Sequence, residues 1–161
     1  MKRHPGLHAL SQHHHFALTQ ALLMRRAAQA PAARRGAALR QVAEKFLRFW
    51  KRTGQQHFRE EEEILLPAYA RHTRLDQDPA AMRLLADHAE IRAQIEQLET
   101  TLEAGQPIEE GVAKLARTLH DHVRFEENEV FSRIESALDE AELQALRQRL
   151  TRLHGKDSCE I

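Results

Sequence analysis

What most constrains this chain is a set of polar residues standing where apolar ones belong. Leu84, His88, Ile91, Ile95, Leu98 and Leu102 follow one another in steps of three and four, the spacing of one buried helix face, and a histidine interrupts the series. In the same rhythm Val112, Leu115 and Leu119 lead into His122 and Glu126, while Leu39, Val42, Phe46 and Trp50 lead past Gly54 into His57, Glu61 and Ile64. A carboxylate buried without a partner costs several kcal/mol or takes up a proton. The chain must therefore fold around something that partners these side chains.

Proline and glycine cluster at Pro31 to Gly36, at Pro79 and at Gly105 to Pro107, and the stretches between are rich in Ala, Leu, Glu, Gln and Arg. Four long helices are predicted over 7–29, 36–72, 79–104 and 108–136, followed by a short amphipathic tail helix over 138–153. Alternation of period two is absent, so no sheet competes. Short connections make neighbouring helices antiparallel, which gives an all-α, up-down-up-down four-helix bundle. A length of 161 residues suits a single domain spanning the chain.

HFREEEEILLP at 57–67 and HVRFEENEVFS at 122–132 share His, Arg, Glu and Glu at equal offsets. In each copy the His precedes a Glu by four residues, which on a helix is a turn of about 40° and a rise of about 6 Å, so both project from one face. Two facing glutamates can bridge two cations about 3.5–4 Å apart, with imidazoles capping each end. Imidazole and carboxylate donors suit iron, with manganese or zinc as substitutes. The layer is consistent across the hairpins: His88 lies 17 residues before Gly105 and His122 lies 17 after it, while Glu61 lies 15 before Asp76 and His88 12 after. On the first helix the stripe Leu7, Leu10, Ala17 and Ala21 points to His14, whereas Leu18 and Leu22 at +3 and +7 point to His15. His13 fits neither stripe.

Composition narrows the chemistry. Cys159 is the only cysteine, so intramolecular disulfides and Cys-ligated zinc or iron–sulfur sites are excluded. With 24 basic and 24 acidic residues there is no global field to recruit nucleic acid or anionic lipid. No apolar run approaches the ~20 residues that span a bilayer, and the first thirty residues are broken by His, Gln and Arg, so a cytoplasmic address is expected. The eleven histidines are the abnormal feature.

A lone His, a His-x-x-x-Glu, a lone His and a second His-x-x-x-Glu on four successive helices resemble the hemerythrin-like HHE cation-binding family over about residues 7–136. The resemblance implies a non-haem di-iron centre with a bridging oxo or hydroxo group, binding dioxygen, nitric oxide or a related small molecule, or sensing iron and oxygen. Its metal ligands would be His14 or His15, His57, Glu61, His88, His122 and Glu126. Oxygen-carrying members have a further His four residues from the one on the third helix, but the flanking places here hold Leu84 and Arg92. About two of the twelve positions of two octahedral ions are then open, unless Glu62 or Glu127 completes the set.

The other histidines read as surface or loop residues: His4 and His8 beside the helix-breaking Pro5 and Gly6, His72 and His154 near helix ends, and His120 on another face. Glu60 to Glu63 reads as a solvated run with one inward member, Glu61. Arg25, Arg26, Arg34, Arg35, Arg40, Arg48, Lys51 and Arg52 make the first half basic without aromatic interleaving, which is a solvated face rather than a nucleic-acid surface. Trp50, Phe46, Phe58 and Phe131 are core or line a route to the metals. A metal- and gas-binding module is the leading reading. The alternative is a di-iron oxidase or peroxidase, or an iron-repair enzyme of nitrosative stress; relatives of the last kind usually carry a Cys-containing N-terminal segment, which this sequence lacks. A ferritin-like site is set aside because no Glu-x-x-His pair includes His57, His88 or His122.

Overall fold

A computed structural model describes residues 3–157, with side chains through residue 151. After a 3-10 turn at Pro5–Leu7 come α1 (His8–Ala28), α2 (residues 32–69), α3 (Pro79–Glu103), α4 (residues 109–137) and the tail helix α5 (Glu140–Asp157). The described residues contain no strand. The helices form an all-α bundle in which α4 packs against α1 and α3, and α1 also packs against α2. Among the described residues no helix is long and apolar enough to cross a membrane.

Local chemistry sets the ends. Asp78 caps α3 by accepting the Ala80 N–H at 2.8 Å and the Tyr69 hydroxyl at 2.7 Å, and Pro79 fills the first helical position. Gly105 ends α3 at φ +67, and the Gln106 N–H reaches back to the Thr101 carbonyl at 3.1 Å, a turn that favours glycine. Asp139 and Glu142 exchange side chain to backbone bonds of 2.8 and 3.1 Å at the start of α5. The second helix starts at Ala32 and not at residue 36, because Pro31 at φ −52 is shaped to start a helix and its carbonyl accepts from Arg34 and Arg35. Gly36 is tolerated inside that helix.

Both long helices of the repeat depart from regular α geometry, which the apolar spacing does not predict. In α2 the segments Trp50–Gly54 and Glu61–Leu65 are π turns, and in α4 so is Glu126–Val130. The Leu66 N–H bonds the Glu61 carbonyl and the Phe131 N–H bonds the Glu126 carbonyl, each five residues back. Pro67, which lacks an N–H and would press on the Glu63 carbonyl in a regular turn, follows the second of these. No proline accompanies the turn in α4.

The core is divided. One apolar cluster includes Met24, Phe46, Ile91, Leu115 and Leu119; the other includes Leu10, Leu65, Leu84, Phe131 and Ile134. Leu143, Leu146 and Leu150 of α5 belong to the second, and α5 packs so closely on the first turn that a Cβ at Gly6 would lie 2.7 Å from the Leu143 carbonyl oxygen. The tail helix thus closes this end of the bundle. The inward polar residues belong to neither cluster.

Candidate metal centre

Each of the four long helices sends its inward polar residues to one layer. His14 is 2% exposed, His57 5%, His88 0%, His122 1%, and Glu61 and Glu126 are both at 0%. The Glu61 Oε1 atom lies 3.4 Å from His57 Nε2 and 3.7 Å from His14 Nε2, while its Oε2 lies 3.3 Å from His88 Nε2. Glu126 spans the layer differently: its Oε2 lies 3.0 Å from His14 Nε2 and 3.2 Å from His122 Nε2, and its Oε1 lies 3.7 Å from His88 Nε2. Each carboxylate therefore reaches from one pair of imidazoles toward the other. The donors divide into His14, His57, Glu61 and Glu126 on one side and His88, His122 and Glu126 on the other, with ligand atoms in each group within 4.8 Å of one another.

The four Nε2 atoms and the four carboxylate oxygens are buried without a hydrogen-bond partner. An unsatisfied buried polar atom costs about 1–3 kcal/mol, so this many in one layer mark a site shaped for a guest. Imidazole and carboxylate atoms converging from two sides fit a pair of divalent or trivalent cations.

Around the inner donors lies an outer set with the symmetry of the sequence repeat. His88 Nδ1–H donates to Glu62 Oε1 at 2.7 Å, and His14 Nδ1–H donates to Glu127 Oε1 at 2.7 Å. These bonds keep a proton on Nδ1 and turn Nε2 inward, where its lone pair would serve a metal that displaces any second proton. Arg92 holds Glu62 through two bonds of 2.8 and 3.0 Å; Arg3 and Ser11 hold Glu127 at 3.0 and 2.8 Å. Phe58 stacks on His88 at 3.6 Å and Phe131 on His14 at 5.2 Å, and the same two arginines lie over these rings. A carboxylate, a ring and an arginine thus clamp each of these imidazoles.

Electrostatics follow from this crowding. Burial opposes charge on His14, but Glu126, Glu127 and Glu61 outweigh it and hold the imidazole well above its ordinary value. His88 behaves likewise, pushed up to about 10 against burial by Glu126, Glu61 and Glu62. Burial wins at His57 and lowers it well below the ordinary range. Burial opposes ionisation of Glu126, yet His122, His14 and His88 keep it far below the usual carboxylate value. The His88 hydrogen bond, helped by Arg92, lowers Glu62 to about 2, and at Glu127 the bonds from His14 and Ser11 overcome burial to reach about 2.

The hemerythrin HHE cation binding domain matches the chain over residues 6–134. The chain belongs to this family. A comparison with curated proteins finds none that matches it. A cation-binding domain accords with the buried His and Glu groups described above, which could hold a metal ion.

Of the two candidates left open on the first helix of this HHE domain, the structure brings His14 into the layer and leaves His15 exposed. The rival stripe misleads because Leu22 is itself 37% exposed, so that row is not a core row. Glu62 and Glu127 do not complete the inner set; they are occupied with Nδ1 atoms from other helices. Glu60 is not solvated but 1% exposed, with Gln56 donating to it at 3.0 Å and His13 Nδ1 lying 3.8 Å from its Oε2. His13, His57 and Glu60 form a third grouping that the sequence reading missed, since the extra residue of a π turn shifts which neighbours face inward. Leu84 is buried in the core and Arg92 is engaged with Glu62, so neither flank of His88 offers another donor. His8 opens α1 with Nε2 against the Arg3 carbonyl, His4 reaches Glu140, His72 reaches Glu142 and His120 reaches Asp121. His154 and Cys159 lie outside the residues whose side chains are described.

Proposed function

We propose that this HHE domain holds two iron ions in the His14, His57, Glu61, His88, His122 and Glu126 layer and uses them to bind or sense dioxygen or nitric oxide. One observation carries the reading: two buried donor groups meet at Glu126, and both carboxylates face imidazoles on either side. Members of the family bind small gas ligands, and iron would supply the electron exchange such binding needs. The protein's own part is positional. Glu62 and Glu127 fix the tautomers of His88 and His14, Phe58 and Phe131 hold their rings, and the apolar clusters on both sides keep bulk water from the layer.

The test is absorption of the iron-loaded chain under air and under nitric oxide, with iron counted per chain. The expected result is charge-transfer absorption that changes with nitric oxide or azide. Iron-loaded protein whose spectrum ignores both ligands would refute the reading. The alternative, an oxidase or peroxidase, draws support from the two imidazoles per donor group, which leave coordination positions for a substrate. Sustained turnover of peroxide would favour it, and binding without turnover would favour the sensor.

A further inference from the structure

One face of the bundle leads to the metal layer through a charged mouth. A pocket of about 580 Å³ opens between α1 and α2, and its walls include His13, Lys45, Arg48, Phe49, Arg52 and Thr53. Beneath it a cavity of about 20 Å³, presenting only apolar atoms, reaches His14, His57 and His122. That volume admits one water-sized guest. His13, Phe49 and Thr53 line both spaces, so a single layer of side chains separates solvent from the cavity beside the donors.

The charge of the mouth is one-sided. Lys45, Arg48 and Arg52 repeat at three and seven residues along α2 and are exposed. Among the described residues none of the three makes an ion pair, and no acidic residue lines the pocket. Some basic residues elsewhere are neutralised locally, Arg59 by Glu63, Arg92 by Glu62, Lys51 by Glu99 and Arg35 by Glu109, while others, such as Arg25 and Arg40, make no ion pair among the described residues. What sets this mouth apart is that three unpaired cations line one pocket above the His/Glu layer with no carboxylate beside them. Such a mouth concentrates small anions and can raise their association rates by about 10- to 1,000-fold at low salt.

We propose that this face is the entrance to the site and that it admits a small monovalent anion, gathered by Lys45, Arg48 and Arg52 and passed between His13, Phe49 and Thr53. The inference rests on the two-metal reading, because an anion entering an apolar cavity needs cations beneath it to offset lost hydration.

Two measurements on the loaded protein test it. Thiocyanate is titrated into the zinc-loaded chain and followed by backbone amide NMR, which needs no iron chemistry. Azide and nitric oxide association with the iron-loaded chain are followed by stopped-flow absorption. Each is repeated on the triple variant Lys45→Gln, Arg48→Gln, Arg52→Gln. The entrance predicts saturable shifts at Phe49, Arg52 or its replacement, and Thr53, lost in the variant. It also predicts azide association about tenfold slower in the variant and in high salt, with neutral nitric oxide changed by less than about twofold. Absence of saturable thiocyanate shifts at these residues, or equal azide rates in the two proteins, overturns it. Thiocyanate shifts that persist in a chain whose iron form shows no azide-dependent absorption overturn the two-metal reading instead, and leave the charged mouth standing.

Discussion

At the scale of single residues, the layer works because every inward donor is held by an outward partner. Glu62 and Glu127 show this most directly, each ordering a histidine that belongs to another helix. Glu62→Gln and Glu127→Gln should each weaken metal binding by about 10- to 100-fold, read by competition with a chromophoric chelator; unchanged affinity would refute the orienting role. Protons compete for the same layer. In the metal-free chain His88 is pushed up to about 10, so at pH 7 to 9 it carries a proton that a metal must displace, and His14 is raised in the same direction. The apparent binding constant should then rise by about one decade per pH unit across that range for the proton displaced from His88. A slope near zero in a pH series of zinc titrations would show that the His88 imidazole is already neutral. Gly54 serves packing: a Cβ there would lie 2.3 Å from Trp50 Cε3, so Gly54→Ala should destabilise the fold by about 1–3 kcal/mol, measured by urea unfolding.

At the scale of the element, two of the three π turns begin at the two inward glutamates, Glu61 and Glu126. Each inserts one residue into the helix just past its inward carboxylate, which sets which residues beyond it face the core. Deleting the exposed Glu63 removes the extra residue, so a regular turn can form with the residues beyond it at their present rotation, while Glu62 and Ile64 within the turn are displaced and Glu62 is pulled from His88. The deletion is expected to lose metal and melt at lower temperature, whereas Glu63→Ala should change neither by much; equal behaviour of the two would remove any role for the extra residue. These turns also mark what could be read from sequence. The stripes through His88 and His122 put both on buried faces, and their rings come to 4.9 Å across α3 and α4, as equal distance from Gly105 requires. Past the π turn at Trp50–Gly54 the residue facing inward beside the stripe is Glu60, which the spacing marks as solvated and the structure buries. Pro67 was the available signal for the turn in α2. For α4 only the repeat itself pointed to one, since 122–132 copies 57–67 without the proline. Glu62 and Glu127 stood in the repeat as second glutamates, but the residues they face come from other helices, which spacing along one chain cannot show.

At the scale of the whole molecule, the polar layer divides the hydrophobic core into two clusters, so metal binding and folding are coupled. A metal bound only to the folded state at 100 times its dissociation constant adds about 2.7 kcal/mol, and chelation should lower the melting temperature by about 5–10 °C. Equal melting with and without chelator would show that the layer carries no metal in solution. Acid should act on the metal-free fold through Glu62 and Glu127, both held at about 2 against an ordinary 4.5. Their folded values are depressed, so their stabilisation is full above about 4.5 and fades as pH falls toward about 2. An unfolding curve flat across that window would contradict the pairing with His88 and His14. The most direct test is anomalous diffraction at the iron edge from crystals of the iron-loaded protein. Two peaks about 3.5–4 Å apart, each between its own pair of imidazoles and both within reach of Glu61 and Glu126, are the predicted result. A layer without density, or with one ion held elsewhere, would contradict it.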